Sequence, residues 1–448
     1  MINLALHAAR PVPRYTSYPT APHFSGDVNA ADAAGWMLTL PDDARVSLYL
    51  HVPFCRDLCL YCGCNTKATR RDEPLNAYVE TLRAEIALVR RSIGRRLTVA
   101  AIHWGGGTPS LLPAGAFETL LEDLGQAFAI DPDAEHAIEL DPRYVDTLLV
   151  RRLAALGINR ASLGVQDIDP RVQAAIGRIQ PSESVTLAVE ALRGAGIRSI
   201  NLDLIFGLPH QTVEGIRRTA AAAAGWRPDR LAVFGYAHVP WMKPHQGVID
   251  AATLPGAAER LGLEAAMRET LIDHGYVPVG LDHFARAGDA LARAAASGHL
   301  HRNFQGYTTD DAEALIGLGA SSIGKLPQGY LQNETAVAAW RRAVEEGRLP
   351  IARGHRMTAD DRLRAAVIER LMCDLSVDLA AVAADFGAPV EVFADDLDAV
   401  RLLAEDGLAV VEGWRVRVPE EHRTLVRLAA AAFDAYLDRG RGRHSMAV

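Results

Sequence analysis

Between residues 46 and 238 the chain alternates between two hydrophobic rhythms. Short apolar runs rich in β-branched residues recur at 46–53 (VSLYLHVP), 98–105, 136–141, 160–166, 199–206 and 230–238, and these read as strands. The stretches between them carry apolar residues every three or four positions. In 75–93, Leu75, Tyr78, Val79, Leu82, Ile86 and Val89 fall on one helical face. Similar patterns occupy about 114–128, 144–156, 182–195 and 212–224, with glycine stops at Gly157 and Gly196. Six strands alternating with helices predict parallel βαβ units and hence an α/β barrel. Each strand ends in a polar or glycine-rich tip: HVPFC, HWGGGTP, ELDP, GVQD, DLIFGLP, YAHVP. In such barrels the C-terminal strand ends carry the active site, so the organisation predicts an enzyme.

The remaining chain divides into three pieces around the predicted barrel at 41–275. Residues 1–40 hold an extended arm, PRYTSYPTAPHF, and a lead-in helix. Its prolines disfavour helix, and its aromatics need a surface to pack on. The open barrel mouth is the expected surface, with the arm closing over the substrate. Residues 276–355 form an irregular extension rich in Gly, His and aromatics. From 356 to 448 the chain is mainly helical, with a hairpin at 408–417 and a helix at about 420–438. Helices plus a hairpin could form a winged-helix-like module. Its acidic ADDLDAVRLLAEDG stretch argues for packing or a lid rather than DNA contact.

Composition narrows the class. The 448 residues correspond to about three domain equivalents at ~150 residues each, or one barrel plus an appendage. With 49% hydrophobic and 23% charged residues, disordered and collagen-like chains are excluded. Against 47 basic residues stand 55 acidic ones, a net −8 that argues against a nucleic-acid binder. No apolar run approaches the ~18 residues of a membrane span. The start, MINLALHAARPVP, lacks a basic region before its apolar stretch. A cytoplasmic protein with no membrane partner is therefore expected.

Cysteine is the informative residue. Of five, Cys55, Cys59, Cys62 and Cys64 fall within ten positions, and Cys373 stands alone in a helical pattern. An odd, clustered count points to a metal or cluster site rather than to a disulfide framework. The C-x3-C-x2-C spacing of Cys55, Cys59 and Cys62 supplies three thiolates to a 4Fe–4S cube and leaves one iron open. The open iron suits a chelating substrate such as the amino and carboxylate groups of S-adenosylmethionine. The competing reading is structural zinc on the same three cysteines plus Cys64 or His51. No second knuckle at the usual distance exists, so the cluster is favoured. Cys64 is read as an unligated thiol, with fourth ligand as the alternative. The second strand ends in three glycines, which permit close backbone approach to a ligand. Glu139, Gln166 and Asp203 stand near three successive strand ends and suit hydroxyl or ammonium groups, or simply cap the strands.

The cysteine loop followed by GGGTP resembles the radical S-adenosylmethionine superfamily. More narrowly, the chain is similar to the oxygen-independent coproporphyrinogen III oxidases. The likeness rests on PRYTSYPTA at 13–21, YLHVPFCRDLCLYCGCN at 49–65, HWGGGTPS at 103–110, ELDPR at 139–143, GVQD at 164–167, NLDLIFGLP at 201–209, FGYAHVP at 234–240, GLDHFA at 280–285 and HRNFQGYTT at 301–309. A related branch of haem chaperones shares the barrel. That branch lacks the arm and the Cys-Gly-Cys ending, and its HNxxYW signature is missing here.

The resemblance implies a partial (β/α)6 TIM-like barrel with an N-terminal arm and a mainly helical C-terminal domain. It implies Cys55, Cys59 and Cys62 as cluster ligands and two S-adenosylmethionine molecules per chain. Tyr49, Gly106, Glu139, Ala237 and Ile323 match positions serving the cluster-bound molecule. Gly107, Thr108, Gln166, Arg178 and Asp203 match those serving the second. Tyr61 stands where the family usually has Phe, and either ring can stack beside the cluster. Phe304 and Gln305 fall in the family's active-site signature. The implied reaction turns two propionates of coproporphyrinogen III, on rings A and B, into vinyl groups. A deoxyadenosyl radical removes a hydrogen, and carbon dioxide and one electron then leave. The implied partners are a flavodoxin- or ferredoxin-like electron donor and an electron acceptor, with the chain acting as a monomer. Four substrate carboxylates call for local cations. Arg14 and Arg302 are the first candidates, ahead of Lys67, Arg70 and Lys325, and Tyr15 and Tyr18 are expected to contact the macrocycle.

Overall fold

The computed structural model describes residues 4–437 and 444–448. Six strands follow the predicted pattern: β1 (Arg45–Val52), β2 (Thr98–Gly106), β3 (Ala129–Leu140), β4 (Arg160–Gln166), β5 (Ser199–Phe206) and β6 (Arg230–Gly235). They are hydrogen-bonded in that order, all parallel. The crossover helices are Glu73–Ile93, Ala116–Ala127, Thr147–Ala155, Ser182–Gly194 and Val213–Gly225. Local chemistry sets their ends. The Asp146 and Thr212 side chains accept from Leu149 N and Gly215 N, and Gly94 ends the first helix at φ +74°.

Two boundaries differ from the periodicity. β3 begins seven residues before the predicted 136, because Ala129 and Ile130 add a first pairing to β2 ahead of a register shift. β6 stops at Gly235, and 236–238 turn away as a loop.

The predicted irregular extension contains strands: β7 (Tyr276–Val279), β8 (His283–Arg286), β9 (Ala314–Leu318), β10 (Ile323–Leu326) and β11 (Gly329–Asn333). With β12 (Ile351–Arg356) they lengthen the sheet to twelve strands, in the order β12-β11-β10-β9-β1-β2-β3-β4-β5-β6-β8-β7. β9 runs parallel to β1, which makes seven parallel strands, and the additions beyond β9 and β6 are antiparallel. Runs of four or five residues between glycines are too short for alternation to register. Leu48, Ile102, Ala137, Ser162, Asn201, Arg230, His283 and Leu315, from eight strands, line one cavity of about 1300 Å³, so the sheet curls into an open barrel.

Glu85, on the first crossover helix, fastens β9 and its following strands. It accepts from Gly319 N (2.7 Å), Asn333 Nδ2 (2.6 Å) and Trp340 Nε1 (3.1 Å) while buried. The C-terminal region packs helices Ala359–Asp374, Leu379–Asp385 and Ala394–Glu405 with a three-stranded sheet of Ser376–Asp378, Arg415–Arg417 and Val410–Glu412. The helix expected over 420–438 is a 3-10 turn, Glu420–Leu425, followed by a helix only at Val426–Ala432, and residue 438 lies outside the described residues.

The arm is not wholly extended. It holds a helix at Leu4–Ala8 and a 3-10 turn at Ala21–His23. Nor do its tyrosines face the barrel mouth. Tyr15 and Tyr18 are buried; the Tyr15 hydroxyl donates to Asp434 Oδ2 (3.0 Å), and that of Tyr18 accepts from Ala435 N (3.0 Å). Phe24 stacks on Tyr330 at 5.4 Å, and Ser25 pairs with Gly354. The aromatics find their surface on the C-terminal region and the far sheet edge, so the arm is a strap. Among the described residues no helix is long and apolar enough to cross a membrane.

Candidate active site

The cysteine loop leaves β1 and is clamped from two sides. From the glycine loop after β2, Gly107 N donates to Val52 O (2.8 Å) and Thr108 N to Phe54 O (2.7 Å). A Cβ on Gly107 would collide with the Phe54 carbonyl, and one on Gly106, at φ +109°, would lie 2.6 Å from the His51 ring. Glycine is therefore required here for the two loops to approach each other. From the loop after β6, Gln246 Nε2 donates to Tyr61 O (2.8 Å), His245 Nε2 to Cys62 O (2.7 Å) and Lys243 Nζ to Cys64 O (2.9 Å). Sequence reasoning missed these three residues, since nothing local to HVPWMKPHQ marks them as partners of a loop some 180 positions away.

Cys55, Cys59 and Cys62 line one pocket of about 900 Å³ that opens to solvent. Thr66 and Thr108 hydroxyls stand 3.3 and 3.5 Å from Cys55 Sγ, and Arg178 Nη1 stands 3.4 Å from Cys59 Sγ. Contact with Cys64 lowers the Cys62 thiol below its ordinary value, which favours a thiolate. Among the described residues no three His, Cys, Asp or Glu side chains converge as ligands of a single metal ion. A cube of four irons spreads its thiolates further apart. His51 is also spent: its Nε2 donates to Asn65 O (3.0 Å), so its Nδ1 accepts from the Tyr49 hydroxyl (3.0 Å). The donor set of three thiols with polar donors to sulfur fits a 4Fe–4S cluster.

The strand ends furnish the other wall. Gly106, Gly107, Thr108, Glu139, Gln166, Arg178, Asp203 and Tyr61 line this same pocket. Glu139 accepts from Gly106 N (3.0 Å) and lies 3.2 Å from His103 Nε2. Burial would raise its carboxyl, but these donors outweigh burial and hold it below its ordinary value. Asp203 accepts from Asn201 Nδ2 (2.8 Å); burial and the nearby Glu139 charge push it up to about 7. The pocket thus offers one ionised carboxylate for ammonium groups and one carboxyl able to donate to a hydroxyl. Gln166 sits at φ +69°, at a register shift between β4 and β5, which turns it into the pocket. A Cβ on Gly164 would fall 2.8 Å from Gln166 Nε2.

Arg178 belongs to a buried network that the sequence did not reveal. It pairs with Asp141 (3.2 Å), donates to Gly164 O (2.7 Å) and bonds Gln180 Oε1 (3.1 Å). Arg143 grips the same Asp141 at 2.6 Å, with its Nη2 4.0 Å from Cys59 Sγ. ELDPR therefore supplies Glu139 to one wall of the pocket and the Asp141–Arg143 pair, joined by Arg178, to the other.

Three residues expected to serve the cluster-bound S-adenosylmethionine do not line the cysteine pocket. Tyr49 stands behind it, its ring stacked at 5.7 Å on His103, which holds Glu139. Ala237 lies on the loop after β6, and Ile323 opens β10 against Gln332. HRNFQGYTT forms a hairpin, His301–Asn303 with Gly306–Thr308, whose tip is Phe304 and Gln305. Gln305 lines the barrel cavity, and Phe304 meets the Tyr330 ring edge-on at 6.2 Å. That cavity shares Ser162 with the cysteine pocket. Arg14 and Arg302 are in neither; they meet in a third cavity on the outer face of β6. Lys67 and Lys325 are exposed, and Arg70 pairs with Asp57 at the surface (2.9 Å).

Comparison with known proteins agrees with this geometry. The radical SAM superfamily profile matches residues 49–223, and the HemN C-terminal domain profile matches 357–424. The oxygen-independent coproporphyrinogen III oxidase of Bradyrhizobium diazoefficiens is 50% identical over 437 residues, 98% of this chain and 97% of the relative. That of Paracoccus denitrificans is 43% identical over 445 residues, 99% and 98% of the two chains. The solved coproporphyrinogen III oxidase of Escherichia coli, described as a radical SAM enzyme, superposes with a TM-score of 0.91 at 37% identity over 98% of this chain and 99% of that one.

Proposed function

The chain belongs to the oxygen-independent coproporphyrinogen III oxidases, and from that membership we propose that it converts coproporphyrinogen III to protoporphyrinogen IX in haem biosynthesis. The observation that carries the reading is the meeting of Cys55, Cys59 and Cys62 with Glu139, Gln166 and Asp203 in one pocket. The three thiolates would hold a 4Fe–4S cluster, which when bound would supply the electron for reductive cleavage of S-adenosylmethionine.

The chain's own residues position and shield. Glu139, kept ionised, receives an ammonium, and Asp203 holds a ribose hydroxyl. Gly106 has its N–H committed to Glu139, so this carboxylate is oriented before any ligand arrives. Arg178 and Arg143 present N–H groups to Cys59 sulfur and exclude water from that side. Two S-adenosylmethionine molecules per chain are supported by the pocket's two sets of groups: Gly106 and Glu139 for the cluster-bound one, and Gly107, Thr108, Gln166, Arg178 and Asp203 for the second. The macrocycle enters the barrel cavity, with Gln305 against it. At each propionate one hydrogen atom is removed from the β-carbon, the bond to the carboxylate breaks, and carbon dioxide leaves with one electron passed to an acceptor. A flavodoxin- or ferredoxin-like protein is the proposed electron donor, and the chain acts as a cytoplasmic monomer.

An anaerobic assay of the reconstituted protein with dithionite, S-adenosylmethionine and coproporphyrinogen III tests this. Protoporphyrinogen IX and 5′-deoxyadenosine are the expected products. Cleavage of S-adenosylmethionine with no loss of propionate would reject the substrate.

A further inference from the structure

On the outer face of the barrel wall lies a small, partly open cavity to which the reaction above assigns no group. Along β6, Phe234 lines the cysteine pocket, whereas Val233 and Gly235 line this one. Phe206, Leu281 and Phe284 complete an apolar floor. Above it stand four arginines: Arg14 from the strap, Arg260 from the helix Ala257–Asp273, Arg302 from the hairpin and Arg427 from the last helix.

Two side-chain carboxyls face them, beside the α-carboxyl oxygens of Val448, which accept from Arg260 (2.7 Å). Asp282 Oδ1 is bonded to His283 (2.7 Å) and lies 3.7 Å from Arg302 Nη1, too far for a hydrogen bond. Glu264 is engaged by Arg268 (3.3 Å), which does not line the cavity. The other partners are carbonyls. Gly235 accepts from Arg14 (2.6 Å), and Tyr236 accepts from Arg260 (2.8 Å). Met446 (2.9 Å) and Ala447 accept from Arg427, and Arg14 O from Arg302 (3.5 Å). Carbonyls orient a guanidinium without neutralising it. Burial, and then repulsion among the arginines, pushes Arg427 down to about 9 and Arg260 to about 10. Nε and Nη1 of Arg302 and Nε of Arg427 are buried with no hydrogen-bond partner, and the Arg302 side chain is only 6% exposed. Buried donors left unmade are costly and rare.

We propose that this cavity binds the carboxylate of a small organic acid, which Arg302 and Arg427 hold while its hydrocarbon stem lies on Phe206, Val233 and Phe284. The unmet donors of Arg302 and Arg427 call for an anion. The apolar floor selects one with a hydrocarbon stem over bare phosphate or sulfate. Two sources share that chemistry: a propionate arm of the macrocycle, which rests on the function proposed above, and a free short-chain acid.

The test is titration of the iron-loaded full-length protein with succinate, with chloride at equal ionic strength as the control, following the melting temperature. Succinate raises it in a saturable way, and chloride does not. Arg302→Gln weakens the half-saturating concentration by roughly tenfold. Arg427→Lys, which keeps the charge and one donor group, weakens it less and serves if Arg302→Gln folds poorly. A raised KM for coproporphyrinogen III in either variant, with succinate competing, identifies the ligand as a propionate arm. An unchanged KM identifies it as a free acid. Equal melting in succinate and chloride, together with an unchanged KM in both variants, overturns the site. A succinate response in a protein that does not turn over coproporphyrinogen III leaves this site standing and rejects the function.

Discussion

Cys64 lines the same pocket as the three ligand thiols and touches Cys62, whereas His51 stands behind it. His51 has no free ring nitrogen, and Cys64 is exposed. Cys55→Ser, Cys59→Ser and Cys62→Ser are each expected to abolish iron binding on reconstitution, because two thiolates hold a cube poorly. Cys64→Ser should retain iron; equal loss would make it a ligand. Arg178→Ala removes charged contacts and leaves Asp141 to Arg143 alone. S-adenosylmethionine binding should weaken by roughly 1.5–3 kcal/mol with iron content normal, as read by equilibrium dialysis. The ligand triplet was legible because a fixed spacing is a local signal. Asp141, Arg143, Lys243, His245 and Gln246 were not, because their roles exist only once distant strand ends are brought together.

Among the elements, β9 marks where reading the chain stopped and packing took over. The six alternating strands could be read off hydrophobic period, since each of the first five is followed by a crossover helix. β9 has five residues and is followed by short antiparallel strands, so no period announces that it pairs with β1. What commits it is Glu85, which gathers three donors from Gly319, Asn333 and Trp340. Glu85→Ala strands all three in the core, and with ~1–3 kcal/mol for each unmet donor the loss should be at least about 3 kcal/mol. Urea denaturation of the apoprotein measures it; a change below 1 kcal/mol, within the ~10–15% extrapolation error, would show that water replaces the carboxylate there.

At the scale of the molecule, the strap ties the two ends of the chain into one core. Pro11 bridges Met446, Ala447 N donates to Arg10 O (2.8 Å), and Tyr15 reaches Asp434. Proline content correctly excluded a long helix here, but it does not say which surface receives the aromatics. Tyr15→Phe leaves Asp434 short of a donor and should lower stability by about 1–3 kcal/mol with little change in the KM for coproporphyrinogen III. A lid over the substrate would show the opposite pattern. Deleting residues 1–24 should lower the melting temperature and speed amide exchange in Val426–Ala432. The strap also imposes a schedule on the ribosome. Tyr15 and Asp434 are 419 positions apart, so at 5–20 residues per second the arm waits roughly 20–80 s for its partner. The cysteine loop is synthesised near the start of that interval, and its clamp at 243–246 arrives about midway. Until that clamp emerges the loop is tethered to an unfinished barrel and accessible to whatever delivers iron and sulfide, while the strap still waits for its partner.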